Sequence, residues 1–427
     1  MKTFNPMKVL VVILAGMLML AGCNSAKLAQ SAPDVENQLS NGQIPATEGN
    51  SKIEGTVQIS NNISPEKTAL PEQGSTTGPE QQAAAGEDKK ENTVPVVKAL
   101  YLTGWTAGST TRVDHFVELA NNTEINSYVI DIKDDDGFVG YESQVPEVKA
   151  NGTWKKKYNP EKVLKSFHDN NIYIIGRLVA FKDPVYSIKR PDLAIKNTSG
   201  GLWKDDKKKS WLNPYNKDNW AYLVSIAKEA VELGFDEIQF DYVRFPSDGK
   251  KNMDFSGVDK EKYQAINDFL AYAASEIPDV PISADVFGII FESPADTEKI
   301  GQYLEQVGKG IDYISPMVYP SHYAYGQIVN KITFPAPDLD PYGVVYNTLA
   351  KGRDRLSQVA DYKADIRPYL QDFTASWLRP KNGQKMYQEY GTEEVKEQIK
   401  AVYDAGYKEW ILWDPSNTYH EDAFLKE

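Results

Sequence analysis

Several acids stand at the ends of apolar stretches in this chain, with aromatic residues beside them. The foremost is Asp241, within residues 235–246, which read Phe-Asp-Glu-Ile-Gln-Phe-Asp-Tyr-Val-Arg-Phe-Pro. Asp285 closes Ile-Ser-Ala-Asp, Asp372 follows Tyr-Leu-Gln, and Asp414 follows Ile-Leu-Trp. Carboxylates mixed with rings suit a carbohydrate site, where apolar sugar faces stack on aromatics and a pair of acids drives glycosyl transfer. Asp241 and Asp285, if carried on adjacent strands, could flank one glycosidic bond. One of the two would then have to stay protonated, and a neighbouring like charge together with apolar surroundings would raise its pKa.

The elements that must position these acids can be read from periodicity. Around Asp241, Ile238 and Phe240 alternate with Gln239 and Asp241, as a strand of period two requires. Before it, Trp220, Leu223, Ile226, Ala227, Ala230 and Val231 recur at helical spacing over 219–233, and Gly234 provides the stop. Eight stretches read as strands: 97–105, 127–133, 172–181, 235–245, 280–288, 312–320, 366–374 and 409–415. Helix-like segments lie between them at 111–121, 160–170, 219–233, 260–276, 294–308, 342–362 and 392–405. Eight strands alternating with helices predict an α/β fold of the (β/α)8 TIM-barrel type, with an open doubly wound sheet as the alternative. In either, the C-terminal strand ends converge on one crevice. That places Asp241, Asp285 and Asp372 as candidate catalytic acids. Trp105, Arg177, Arg244, Tyr319, Trp413 and Asp414 become candidate substrate contacts.

Each residue also has a purely structural reading. Asp241 could pair with Arg244, and Asp285 could act as an acceptor within the barrel mouth. Asp372 and Asp414 could cap turns, and Tyr319 and Trp413 could fill the barrel. Arg177 and Lys133 could be internal ion-pair partners, and His322 a loop residue.

The barrel is expected to occupy 96–427. Residues 1–22 combine Lys2 and Lys8 with an uncharged apolar run and a small-residue end, the pattern of a signal peptide. The run is short for a membrane span. Its close, Leu-Ala-Gly-Cys, resembles the bacterial lipobox, which implies that Cys23 carries a lipid and holds the protein on the extracellular face of the cell membrane; a plain secretory signal is the alternative. Residues 24–95 contain no Phe, Trp or Tyr. Such a segment cannot bury enough surface to offset its chain entropy, so 23–95 is expected to be a disordered tether.

Composition closes other classes. Lys and Arg number 47 against 60 Asp and Glu, a net charge of −13 that argues against a nucleic-acid partner. Cys23 is the single cysteine, so the barrel can hold neither a disulfide nor a thiol nucleophile. The four histidines are too scattered for a deacetylase metal site. Asp134-Asp135-Asp136-Gly137 fails the calcium-loop pattern, with Ile132 and Ser143 at the first and twelfth positions. Neither a P-loop, nor a Rossmann fingerprint, nor a Gly-x-Ser-x-Gly elbow is present. The expectation is therefore a domain without cofactor or metal.

With these residues in view, the chain resembles a family of bacterial glycoside hydrolase-like domains, whose signature strand Phe-Asp-x-Ile-Gln-Phe-Asp-Tyr-x-Arg-Phe-Pro stands here at 235–246. The segments 283–288, 315–320 and 413–415 follow in the family's order. The resemblance implies a TIM barrel acting on a polysaccharide or oligosaccharide. More distantly, 235–243 is similar to the chitinase-type strand, but Gln239 and Val243 replace its middle aspartate and its closing glutamate. Asp241 and Asp285 look instead like the alpha-amylase-type arrangement, which implies Asp241 as nucleophile and Asp285 as acid/base. The rival reading is a non-catalytic glycan-binding or wall-scaffolding barrel.

Overall fold

The structure is a computed structural model and describes residues 94–424. The segments expected to be signal peptide, lipidated Cys23 and most of the tether lie outside the described residues. From Val97 onward eight parallel strands form, each built from the apolar stretch that its period predicts. They are β1 (Lys98–Leu102), β2 (Ser127–Lys133), β3 (Tyr173–Val179), β4 (Glu237–Asp241), β5 (Ile282–Phe287), β6 (Tyr313–Met317), β7 (Tyr369–Gln371) and β8 (Trp410–Trp413). Each pairs with the next in sequence, and β8 pairs with β1, so the sheet closes on itself. The fold is a (β/α)8 barrel; closure removes the open-sheet alternative.

The helices wrap the outside. The longer ones are α1 (Thr110–Asn122), α2 (Pro160–His168), α3 (Lys217–Leu233), α4 (Lys262–Glu276), α5 (Pro341–Leu356) and α6 (Thr392–Asp404). Helix α3 starts where the Asn216 side chain accepts from the Asp218 amide. It stops at Gly234, whose φ of 108° only glycine adopts without strain. Its buried face, with Leu223, Ile226, Ala227 and Ala230, joins the main core together with Ile238 and Phe240 from the outward side of β4.

Two expected elements differ. The segment 294–308 was expected to be helical, yet only Leu304–Val307 forms a helical turn. Ala295, Lys299 and Gly301 take positive φ there, and the Asp296 carboxylate accepts from the amides of Ile300 and Gly301. A side chain that binds local amides in this way competes with helix formation. The seventh strand is shorter than its apolar run suggests. A separate pair, Asp365–Ile366, lies against β6, and Arg367-Pro368 interrupts the run. Proline has no N–H to give to the ladder.

The inward side of β4 is polar along its length, and it divides the barrel interior into three levels. At the N-terminal end, Glu237 accepts from Arg367 Nη1 at 2.8 and 3.0 Å and from Ser283 Oγ at 2.6 Å. Midway, Gln239 donates to Ser315 Oγ and accepts from the Tyr369 hydroxyl at 2.6 Å. At the C-terminal end stands Asp241. The lower two levels plug the barrel; the upper one opens to a cleft.

Candidate active site

Asp241 and Asp285 arrive at the same level because β4 and β5 run in register, with Ile238 opposite Ile282 and Phe240 opposite Ala284. One step further along, the two acids are neighbours. Both line a cleft of about 150 Å³ at the C-terminal end of the barrel. Arg177, Arg244, Tyr319 and Trp413 line it as well, so six of the nine candidate residues converge there.

Their environments differ sharply. Asp241 Oδ2 accepts from Arg177 Nε at 3.0 Å and from Nη2 of the same guanidinium, and Asp241 Oδ1 accepts from the Tyr242 amide. Tyr242 sits in the left-handed region at φ 49°, a conformation that costs a bulky residue energy and concentrates at functional sites. Arg177 also donates from Nη1 to Asp131 Oδ1 at 2.6 Å, and Asp131 Oδ2 accepts from the Tyr101 hydroxyl at 2.8 Å. Burial opposes the Arg177 charge, but Asp241 and Asp131 outweigh it and hold its pKa well above the ordinary guanidinium value. Asp241 is thus oriented by a permanently cationic partner.

Asp285 has no such partner. It is 2% exposed, and its Oδ1 has no hydrogen-bond partner. Burial, and then the charge of Asp241, drive its pKa well above the ordinary carboxylate value, against a smaller opposing pull from Arg177. One acid is salt-bridged, and its neighbour is buried, unpaired and pushed toward its protonated form, the arrangement an acid/base pair uses.

The apolar wall is made by rings. Tyr319 lies 5.9 Å from Trp413, and Phe373 packs against both, with Trp377 stacked on Phe373 at 5.7 Å. His322 completes this wall; burial pushes its pKa down to about 3, so its ring is neutral. Phe373, Trp377 and Met317 were not singled out in the sequence, nor were Asp131 and Tyr101 as site residues. The position of Asp131 at the end of β2 was the available signal; Trp377 sits in a loop and offered none.

Three candidates lie elsewhere. Asp372 is 1% exposed and accepts from the His420 amide and pairs with its ring, which ties it to the loop after β8. Asp414 Oδ1 accepts from the amides of Ser416 and Thr418 and caps that same loop. Trp105 is 59% exposed on the short helix Gly104–Ala107 and is not a lining residue of the cleft. Lys133 is sealed in a buried ion pair with Asp183 at 3.1 Å. Among the described residues no cluster of His, Cys, Asp and Glu has a metal-holding arrangement.

Comparison with known proteins identifies a family for the barrel. The model of a family described as "Putative glycosyl hydrolase domain" matches residues 99–419, three quarters of the chain. The chain belongs to this family. A solved structure of a hypothetical protein from Ruminiclostridium thermocellum is 64% identical over 44% of this chain and 97% of its own, with a TM-score of 0.42. The glycoside hydrolase domain of PgaB (BpsB) from Bordetella bronchiseptica is 12% identical over 78% of this chain and 100% of its own, with a TM-score of 0.54, a likeness of fold. The spore cortex-lytic enzyme SleL of Bacillus megaterium is 14% identical over 77% and 74%, with a TM-score of 0.45. None of the curated proteins matches the chain in sequence. The family description gives the barrel a glycoside hydrolase-like function and a carbohydrate as the substrate class.

Proposed function

We propose that the barrel hydrolyses a cell-wall or extracellular polysaccharide, with Asp285 as proton donor and Asp241 as nucleophile or charge stabiliser. The observation that carries this reading is the unpartnered Oδ1 of buried Asp285 beside an Arg177-bound Asp241. In the first step Asp285 gives its proton to the glycosidic oxygen as the bond to the anomeric carbon breaks. The developing positive charge on the sugar ring is met by the Asp241 carboxylate. Water then adds to the anomeric carbon, and the Asp285 carboxylate takes the proton that water releases. The wall of Tyr319, Trp413 and Phe373 offers stacking faces for the sugars on either side.

The roles separate by leaving group. Asp285→Asn should lose hydrolysis of unactivated glycosides while sparing the release of phenolate from aryl glycosides, whose leaving group departs without a proton. Asp241→Asn should lose both. Equal loss on both substrate types in Asp285→Asn would contradict its role as donor.

One observation favours the non-catalytic reading: Arg177 engages Asp241 Oδ2 through two donors, a grip that also suits a fixed structural ion pair. Glycan binding without turnover, indifferent to both asparagine variants, would select that alternative. For the anchor, we infer lipidation at Cys23 from the Leu-Ala-Gly-Cys run. Incorporation of labelled fatty acid that persists in Cys23→Ser would overturn it.

A further inference from the structure

Arg244 is a buried cation without a carboxylate partner. It is 3% exposed, yet among the described residues no acid lies within ion-pair distance of it, and the charges of Asp241, Asp248 and Asp205 reach it only from further away. Rings surround it instead: its guanidinium carbon is 5.1 Å from the Trp211 ring, 5.0 Å from Tyr242 and 4.5 Å from Phe287. Nη1 is used up internally, donating to the Phe245 carbonyl at 3.1 Å and to Ser247 Oγ at 3.3 Å. Nε and Nη2 donate to no group among the described residues. Leaving a buried charge uncompensated costs several kcal/mol in general, and a fold that keeps one at the wall of a cleft keeps it for an incoming charge.

The free edge indicates which charge. Nε–H and Nη2–H of a guanidinium are parallel donors that match the two oxygens of a carboxylate. The Arg177 guanidinium offers this same edge to Asp241 in the same cleft. Beyond Arg244 the cleft continues into a second, smaller lobe of about 70 Å³, which shares Phe287, Met317, Tyr319 and His322 with the first. Lys250 lines that lobe and adds a second positive charge, opposed there by Glu298.

Resting on the hydrolase reading of this cleft, we propose that the substrate is an acidic glycan and that Arg244 binds the carboxylate of one of its sugars. A hexuronate and a lactyl-ether sugar both present that group. The choice of Arg244 over Asp241 or Asp285 as the selecting residue follows from its charge and its free edge, and the three rings fix the guanidinium plane in advance.

The test uses the full chain with four oligosaccharides: one containing hexuronate, one containing a lactyl-ether sugar, and the carboxyl-reduced form of each. Binding is followed by calorimetry and turnover by reducing-end release. The wild type should bind one acidic oligosaccharide at least about tenfold more tightly than its reduced form, the scale of a charge-assisted bidentate contact. Which acidic sugar shows the effect names the source of the carboxylate. In Arg244→Gln the acidic-to-reduced ratio should collapse toward one, with Arg244→Lys restoring it only in part. Equal binding of acidic and reduced forms by the wild type would overturn the proposal, and this comparison does not depend on the variants folding. Release from reduced and acidic forms at equal rates would sink the proposal and leave the hydrolase reading standing. Selective binding of the acidic form without release would sink hydrolysis and leave the carboxylate site standing.

Discussion

At the scale of single residues, the site turns on two aspartates with opposite surroundings. Asp285 keeps its proton past the ordinary carboxylate range because of burial and the nearby Asp241 charge. Between the unfolded and folded pKa the native state therefore binds more protons than the unfolded chain, and stability falls as pH rises through that window. Asp285→Asn removes the titration. Its thermal midpoint should exceed that of the wild type at neutral pH, and the difference should vanish below the ordinary carboxylate pKa; a pH series of melting curves checks this. The same sign governs activity. A proton donor works only below its pKa, so hydrolysis should decline as pH rises through the raised value. In Asp285→Asn, the residual cleavage of activated aryl glycosides should lack that alkaline limb. Residue types alone pointed to both acids, but they also pointed to Asp372 and Asp414. What distinguishes them is tertiary: His420 occupies one and the amides of the β8 loop occupy the other. Neither partner is visible in local sequence, because hydrogen bonds to a returning loop depend on where that loop folds back.

At the scale of elements, the inward face of β4 sets the barrel's character. Glu237, Gln239 and Asp241 carry one polar group to each level, and only the topmost meets the cleft. The lowest level is a fully buried ion pair with Arg367, which is also supported by Glu409 at 3.3 Å. Glu237→Leu would take the closer, bifurcated partner from Arg367 and leave it only Glu409 at 3.3 Å, and should cost about 3–5 kcal/mol in denaturant unfolding. Glu237→Leu combined with Arg367→Met should recover much of that loss, since the fully buried pair is then gone and the partly exposed Glu409 keeps the Val97 amide as a donor. A near-neutral single variant would contradict this view of the barrel floor. The strands and most helices were legible because their apolar periods are strong, as in α3 and β4. The segment 294–308 misled because its apolar residues fall at helical spacing while Asp296 diverts the backbone amides into a turn. The seventh strand was overextended because an apolar run hides the break that Pro368 makes in the ladder.

At the scale of the whole molecule, the barrel closes through pairing of β8 with β1, so the ring of paired strands is closed within residues 94–424. A chain starting at Val94 should therefore unfold cooperatively at the same temperature as the full chain and keep its activity on soluble glycans. A lower midpoint would show that the preceding residues contribute to the fold. The acidic balance of the molecule gives the cleft its contrast, for Arg244 stands as a buried cation in a chain of net charge −13.

The central claim, that the paired aspartates make this barrel a hydrolase, is tested most directly by reducing-end release from a panel of wall glycans and alpha- and beta-linked polysaccharides. The comparison is between the wild type, Asp241→Asn and Asp285→Asn, all folded to the same circular dichroism spectrum. Release by the wild type that drops at least about 100-fold in each variant is the predicted result. Release that survives both substitutions, or glycan binding with no release from any of the three proteins, would contradict it.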